Sequence, residues 1–153
     1  MAQSPSFAIY YAGDAYSTGH KIMGRQSAGK AFMRGVAQTW PQSTLYGMGQ
    51  GATAANEMLS QLKGDGFAGE LQWIEVLNSR ALAEVGSLYY PAPPAKDLAH
   101  ARNLNQASAF SLMGVTHTLS STSAMDQLAE LVLPPFRPWD ALICTSSAAQ
   151  SFV

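Results

Sequence analysis

Six short apolar runs, each followed by residues at helical spacing, constrain this chain more than any other feature. "FAIYYA" (7–12) shows no polar alternation, as expected of a strand covered on both faces. Ala28, Phe32 and Val36, joined by Met33, Ala37 and Trp40, then recur with a helical period until Pro41 stops them. "STLYGMG" (43–49) precedes a stripe of Ala55, Met58, Leu59 and Leu62, ended by "KGDG". "LQWIEVL" (71–77) precedes Asn78 as a candidate N-cap, then Ala81, Leu82 and Val85, with Gly86 just past the helix end. "SLYY" (87–90) is a fourth, short strand, and "PAPPA" separates it from a polar helix around 95–105. "FSLMGVTHTL" (110–119) is the fifth; a capping box from Ser123 to Asp126 follows, then a face of Met125, Leu128, Ala129 and Val132. "DALICTS" (140–146) is the sixth, with Ser146 or Ser147 placed to cap a last helix. Such alternation predicts an α/β fold: a Rossmann-like doubly wound, mostly parallel sheet of about six strands with helices on both faces.

The 153 residues have the length of one ordinary domain, spanning 1–153. Charged residues make up 12%, half the usual ~25%, so the elements are expected to be buried on more than one side or covered by a partner. A net charge of −1 with scattered Lys and Arg argues against nucleic acid and anionic membrane as partners. "MAQSPS" has no signal-peptide pattern, and no apolar run approaches the about 20 residues of a spanning helix. Cys144, the single cysteine, excludes an internal disulfide and is expected to be a small buried hydrophobe in a reducing compartment. A cytoplasmic chain is the expectation. The last helical segment is short enough to be marginal alone, which predicts the front half of a longer protein.

Ligands of such sheets bind beyond the carboxyl ends of the strands. After the first strand, Gly13, Gly19 and Gly24 are too widely spaced for G-x-G-x-x-G, and no acidic residue ends the second strand to hold a ribose. Gly19 to Gly24 is followed by Arg25-Gln26, not the Lys-Ser/Thr of a nucleoside-triphosphate loop. What remains is a glycine loop whose backbone N–H groups can approach an anion. Arg25 opens the next helix against its dipole, pointing to an anionic ligand or a carboxylate partner; Asp14 and His20 flank the same loop. After the fifth strand, "GVTHTLSS" gathers His117, Thr118 and Ser120. No second His or Cys stands at metal-ligand spacing, and no G-x-S-x-G supplies a nucleophile elbow.

"AGDAYSTGHKIMGRQSAGKAFMRG", "GVTHTLSS" and "WDALICTSSAAQSFV" together resemble the N-terminal half of a retaining glycosyltransferase of the GT-B fold, closest to glycosyltransferase family four. The resemblance implies an acceptor-side Rossmann-like domain. Its partner, a C-terminal nucleotide-sugar-binding domain, lies outside this chain. By that resemblance His117 is the catalytic residue that steadies the oxocarbenium-like sugar. The resemblance also implies that Gly19 and Gly24 belong to the glycine loop near the donor diphosphate and that Ser146 is the polar position before the last helix; Arg25, Thr118 and Ser120, expected at the ligand side from their own positions, complete the substrate-binding set. Fixed donors aimed at the departing phosphate contribute on the order of 3 kcal/mol each. The leaving phosphate can itself act as base, so the resemblance implies no cofactor and no metal, a nucleotide sugar as donor and a sugar or glycan as acceptor. The chain alone is expected to be inactive. The alternative reading is a non-catalytic sugar- or nucleotide-binding module of the Rossmann-like or flavodoxin-like class.

Overall fold

The computed structural model describes residues 5–17, 24–76, 78–117 and 121–153. Among the described residues, six strands form a parallel sheet of order β3-β2-β1-β4-β5-β6, flanked by seven helices, an α/β Rossmann-like doubly wound arrangement. The chain divides into two compact units, Met1–Asn78 and Ser79–Val153.

The first unit holds β1 (Ala8–Tyr10), α1 (Gly13–Tyr16), α2 (Gly24–Thr39), β2 (Thr44–Gly49), α3 (Gly51–Gly64) and β3 (Glu70–Glu75). Ala8 pairs with Tyr46, and β2 pairs with β3 from Thr44↔Glu70 to Gly49↔Glu75. The apolar stripes point inward: Ile9, Met33, Leu45, Met48, Met58 and Leu62 are all buried. Glycine weakens a strand by propensity, yet β2 carries two of them for a packing reason. A Cβ on Gly47 would stand 2.8 Å from the Trp73 ring and from Met58 Sδ, and one on Gly49 would stand 2.7 Å from that ring. The indole of Trp73 therefore lies against β2 backbone that only glycine leaves open. One turn of helix, α1, interrupts the expected glycine loop. It docks so closely on α2 that a Cβ on Gly29 would collide with the Ala15 carbonyl.

The second unit holds α4 (Ser79–Val85), β4 (Ser87–Tyr89), α5 (Lys96–Asn103), β5 (Ser111–Val115), α6 (Thr122–Glu130), β6 (Ala141–Ile143) and α7 (Ser147–Phe152). Gly86 takes φ +95° and its N–H bonds to the Leu82 carbonyl at 3.0 Å, the left-handed closure its position after α4 predicts. Other expectations shift. The cap of α6 is Ser121, whose Oγ accepts from Ala124 N at 3.2 Å, so Ser123 lies inside the helix. Strand five ends at Val115, placing His117 in the bend beyond it. Strand six is only three residues long, and Cys144 is half-buried instead of enclosed, because the exposed edge strand offers no second covering layer there. Gly114, first residue of "GVTHTLSS", is glycine for contact: a Cβ there would overlap Pro94 and the Ala92 carbonyl.

Arg102 on α5 is fully buried. Its Nη1 and Nη2 donate to the two Asp140 oxygens at 2.6 and 2.9 Å, and to the carbonyls of Phe110 and Pro135 at 3.1 Å each. Asp140 also accepts from Leu112 N at 2.8 Å and Arg137 N at 2.9 Å. Burying an ion pair costs several kcal/mol per ion, and here hydrogen bonds offset that cost at both Arg102 Nη atoms and both Asp140 oxygens, while the buried Arg102 Nε is left without a partner.

Two stability measurements follow from this packing. Asp140→Asn leaves the guanidinium buried without its counter-charge and lowers unfolding stability by about 3–5 kcal/mol. A shift of the urea midpoint worth under ~1 kcal/mol would show the pair is not needed. Gly47→Val forces the indole off β2 and costs about 1–3 kcal/mol. Combining it with Trp73→Leu recovers part of that loss, whereas additive losses would contradict the contact.

Candidate functional site

Beyond β1 the chain turns into α1, and its aromatic residues build a fixed floor. Tyr11 N continues the ladder to the Met48 carbonyl at 2.8 Å. The Tyr11 and Tyr16 rings stack with centroids 5.3 Å apart and planes 5° from parallel. Tyr11 Oη donates to Gln61 Oε1 at 3.2 Å, Gln61 Nε2 donates to the Tyr16 carbonyl at 3.0 Å, and Tyr16 Oη donates to the Tyr10 carbonyl at 2.9 Å. The Gln61 amide is thus held at both ends, which fixes which end is which.

Above this floor opens a cavity of about 760 Å³. It lies beyond the carboxyl end of β1, the side on which open parallel sheets bind ligands. Thr53, Asn56, Glu57, Ser60 and Gln61 line it from α3. Their spacing puts them on one face of that helix, while Met58 and Leu62 turn to the core. Lys30 lines the cavity from α2. The Glu57 carboxylate stands over Gly13, where a Cβ would lie 3.4 Å from Oε2. Burial pushes the Tyr11 phenol above its usual pKa, and the Glu57 charge adds to the rise, so Tyr11 remains a donor.

Two anion-attracting features of this unit are already occupied by its own carboxylates. Gln50 gives α3 no side-chain cap; instead Glu75 Oε2, from the end of β3, accepts from Gly51 N at 3.2 Å. Arg25 Nη2 meets Asp14 Oδ2 at 2.7 Å, the carboxylate partner that its position at a helix start suggests. Gly24 is exposed as the first residue of α2. Gly19 and His20 lie outside the described residues.

In the second unit a threonine clasp joins the carboxyl ends of β5 and β6. Thr145 N donates to Thr116 Oγ1 at 3.1 Å, the two Oγ1 atoms are 3.3 Å apart, and Thr116 N donates to the Ile143 carbonyl at 3.0 Å. His117 and Ser146 each follow one member of this clasp, so the fold brings these two expected residues to neighbouring strand ends. His117 is half-buried. Ser146 caps α7, its Oγ accepting from Ala149 N at 3.1 Å. Thr118 and Ser120 lie outside the described residues. Among the described residues, no group of three or more His, Cys, Asp or Glu could hold a metal ion, and no helix is long and apolar enough to cross a membrane.

The raised phenol has a pH consequence. Below pH 10.0, the ordinary tyrosine value, both folded and unfolded states keep the Tyr11 proton and its contribution is complete. Above it the unfolded chain ionises first, so stability falls until the pH passes the raised folded value. Tyr89, pushed up to about 12 by burial, acts in the same sense. Tyr11→Phe is expected to cost about 1 kcal/mol at neutral pH, from the lost bond to Gln61, and to flatten part of the alkaline decline. Denaturant midpoints on either side of pH 10 check this; an unchanged alkaline slope would contradict it.

No protein-family model, no curated protein and no solved structure matches this chain.

Proposed function

We propose that this chain is the acceptor-binding, N-terminal part of a retaining glycosyltransferase, and that its acceptor is a polyhydroxylated ligand held in the cavity of the first unit. The observation that carries the ligand class is the row of hydroxyl and amide groups that α3 presents to a cavity of about 760 Å³ over a rigid floor. That volume lies within the range of small-molecule sites, and side-chain alcohols and amides match the alternating donors and acceptors of a sugar.

The transfer chemistry rests on the resemblance at "GVTHTLSS" and "DALICTS". In this reading the donor is a nucleotide sugar and a C-terminal domain supplies its main binding groups. His117, beyond β5, is directed at the sugar as its bond to phosphate breaks. Gly19, Gly24, Arg25, Thr118, Ser120 and Ser146 have the binding roles set out above. The second unit also leaves Val132, Leu133, Trp139 and Ile143 exposed, apolar surface of the kind that a further domain would cover.

Calorimetric titration of the 153-residue chain with glucose, maltose and uridine diphosphate glucose tests the reading. Saturable binding of a saccharide is expected, weakened at least about tenfold in the Asn56→Leu, Ser60→Leu double variant, each truncated group being worth on the order of 1 kcal/mol. No sugar transfer by this chain alone is expected. Absence of saccharide binding, or equal binding by the double variant, would overturn the assignment. Nucleotide-sugar binding that leaves saccharides out would favour a nucleotide-binding module instead.

A further inference from the structure

Two charged side chains line the cavity of the first unit, Lys30 from α2 and Glu57 from α3. Neither has an ion-pair partner among the described residues, and they do not pair with each other. Arg25 and Asp14 of the same unit pair with each other. The position of the Glu57 carboxylate is marked twice, by its approach to Gly13 and by its effect on the Tyr11 phenol. One cavity therefore holds an anionic point and a cationic point on different helices, with neutral donors and acceptors at Thr53, Asn56 and Ser60 in the same lining.

A neutral sugar answers only the uncharged groups of this lining. Resting on the reading of the cavity as a saccharide site, we infer that its ligand is zwitterionic: a sugar or sugar-like acceptor carrying an ammonium group towards Glu57 and a carboxylate or phosphate towards Lys30. Opposite charges at two points do what one cannot. They raise affinity for the complementary ligand, and they set its direction, because the reversed orientation places like charges together.

A set of four probes separates the charges: glucosamine 6-phosphate carries both, glucosamine only the ammonium, glucose 6-phosphate only the phosphate, and glucose neither. Titration of the full chain at low ionic strength is expected to rank glucosamine 6-phosphate first, by about fivefold over each singly charged probe, the scale of a part-exposed ion pair. Glu57→Gln removes the advantage over glucose 6-phosphate. Lys30→Met removes the advantage over glucosamine. Raised salt narrows the ranking. Four probes binding within twofold of one another would overturn the charge assignment while leaving the saccharide site intact. No binding by any probe would remove both. A ranking that survives Glu57→Gln and Lys30→Met would place the charge recognition elsewhere and overturn the inference.

Discussion

The buried pair of Arg102 and Asp140 holds the second unit together. Strand β6 has little burial of its own: Ala141 is exposed and Ile143 is 48% exposed. Apolar packing therefore cannot hold it in register. Asp140, the residue immediately before it, does so through the guanidinium of α5 on one side and the Leu112 amide of β5 on the other. With the start of β6 fixed, three residues of parallel pairing carry the chain to Thr145, where the clasp with Thr116 ties the other end. The end of β6 that presents Ser146 is thus placed by one ion pair and one hydroxyl against β5, whose Leu112 and Val115 are buried in the core. The charge pair is costly to bury, and that cost makes the register specific: a slip of one residue would strand both charges.

The alternation of apolar runs and helical stripes carried the fold class, the number of strands and most helix positions, because burial against a parallel sheet needs a long-lived hydrophobic pattern. Gly86 was legible because a left-handed turn after a helix has a local residue signature. The pair of Arg102 and Asp140 was not, because its members are 38 residues apart and each looks like an ordinary surface charge. The same holds for the glycines of β2. They read as weak points in a strand until Trp73 is seen lying against them. Helix α1 was hidden because four residues carry no period, and its cause is tertiary: the Tyr11–Tyr16 stack and the docking on Gly29.

The cavity was illegible for the same reason. Thr53, Asn56, Glu57, Ser60 and Gln61 form the polar face of an amphipathic helix, the pattern a solvated face also shows. Only α1, standing across from that face, turns it into a wall. The strand-end position of His117 and the capping role of Ser146 were legible, since each depends on residues next to it in sequence.

The charges of the first unit bear on how a transfer reaction could be divided. An anion is usually held at a helix start or by a free guanidinium. Here the start of α3 is met by Glu75, and Arg25 is met by Asp14. A donor diphosphate that uses Arg25 would take the place of the Asp14 carboxylate. The cavity, by contrast, keeps its hydroxyls, amides and two opposite charges open to a ligand that brings matching groups. Among the described residues, then, the cavity lining combines one positive and one negative side chain with neutral polar groups, which matches a polar ligand of low net charge.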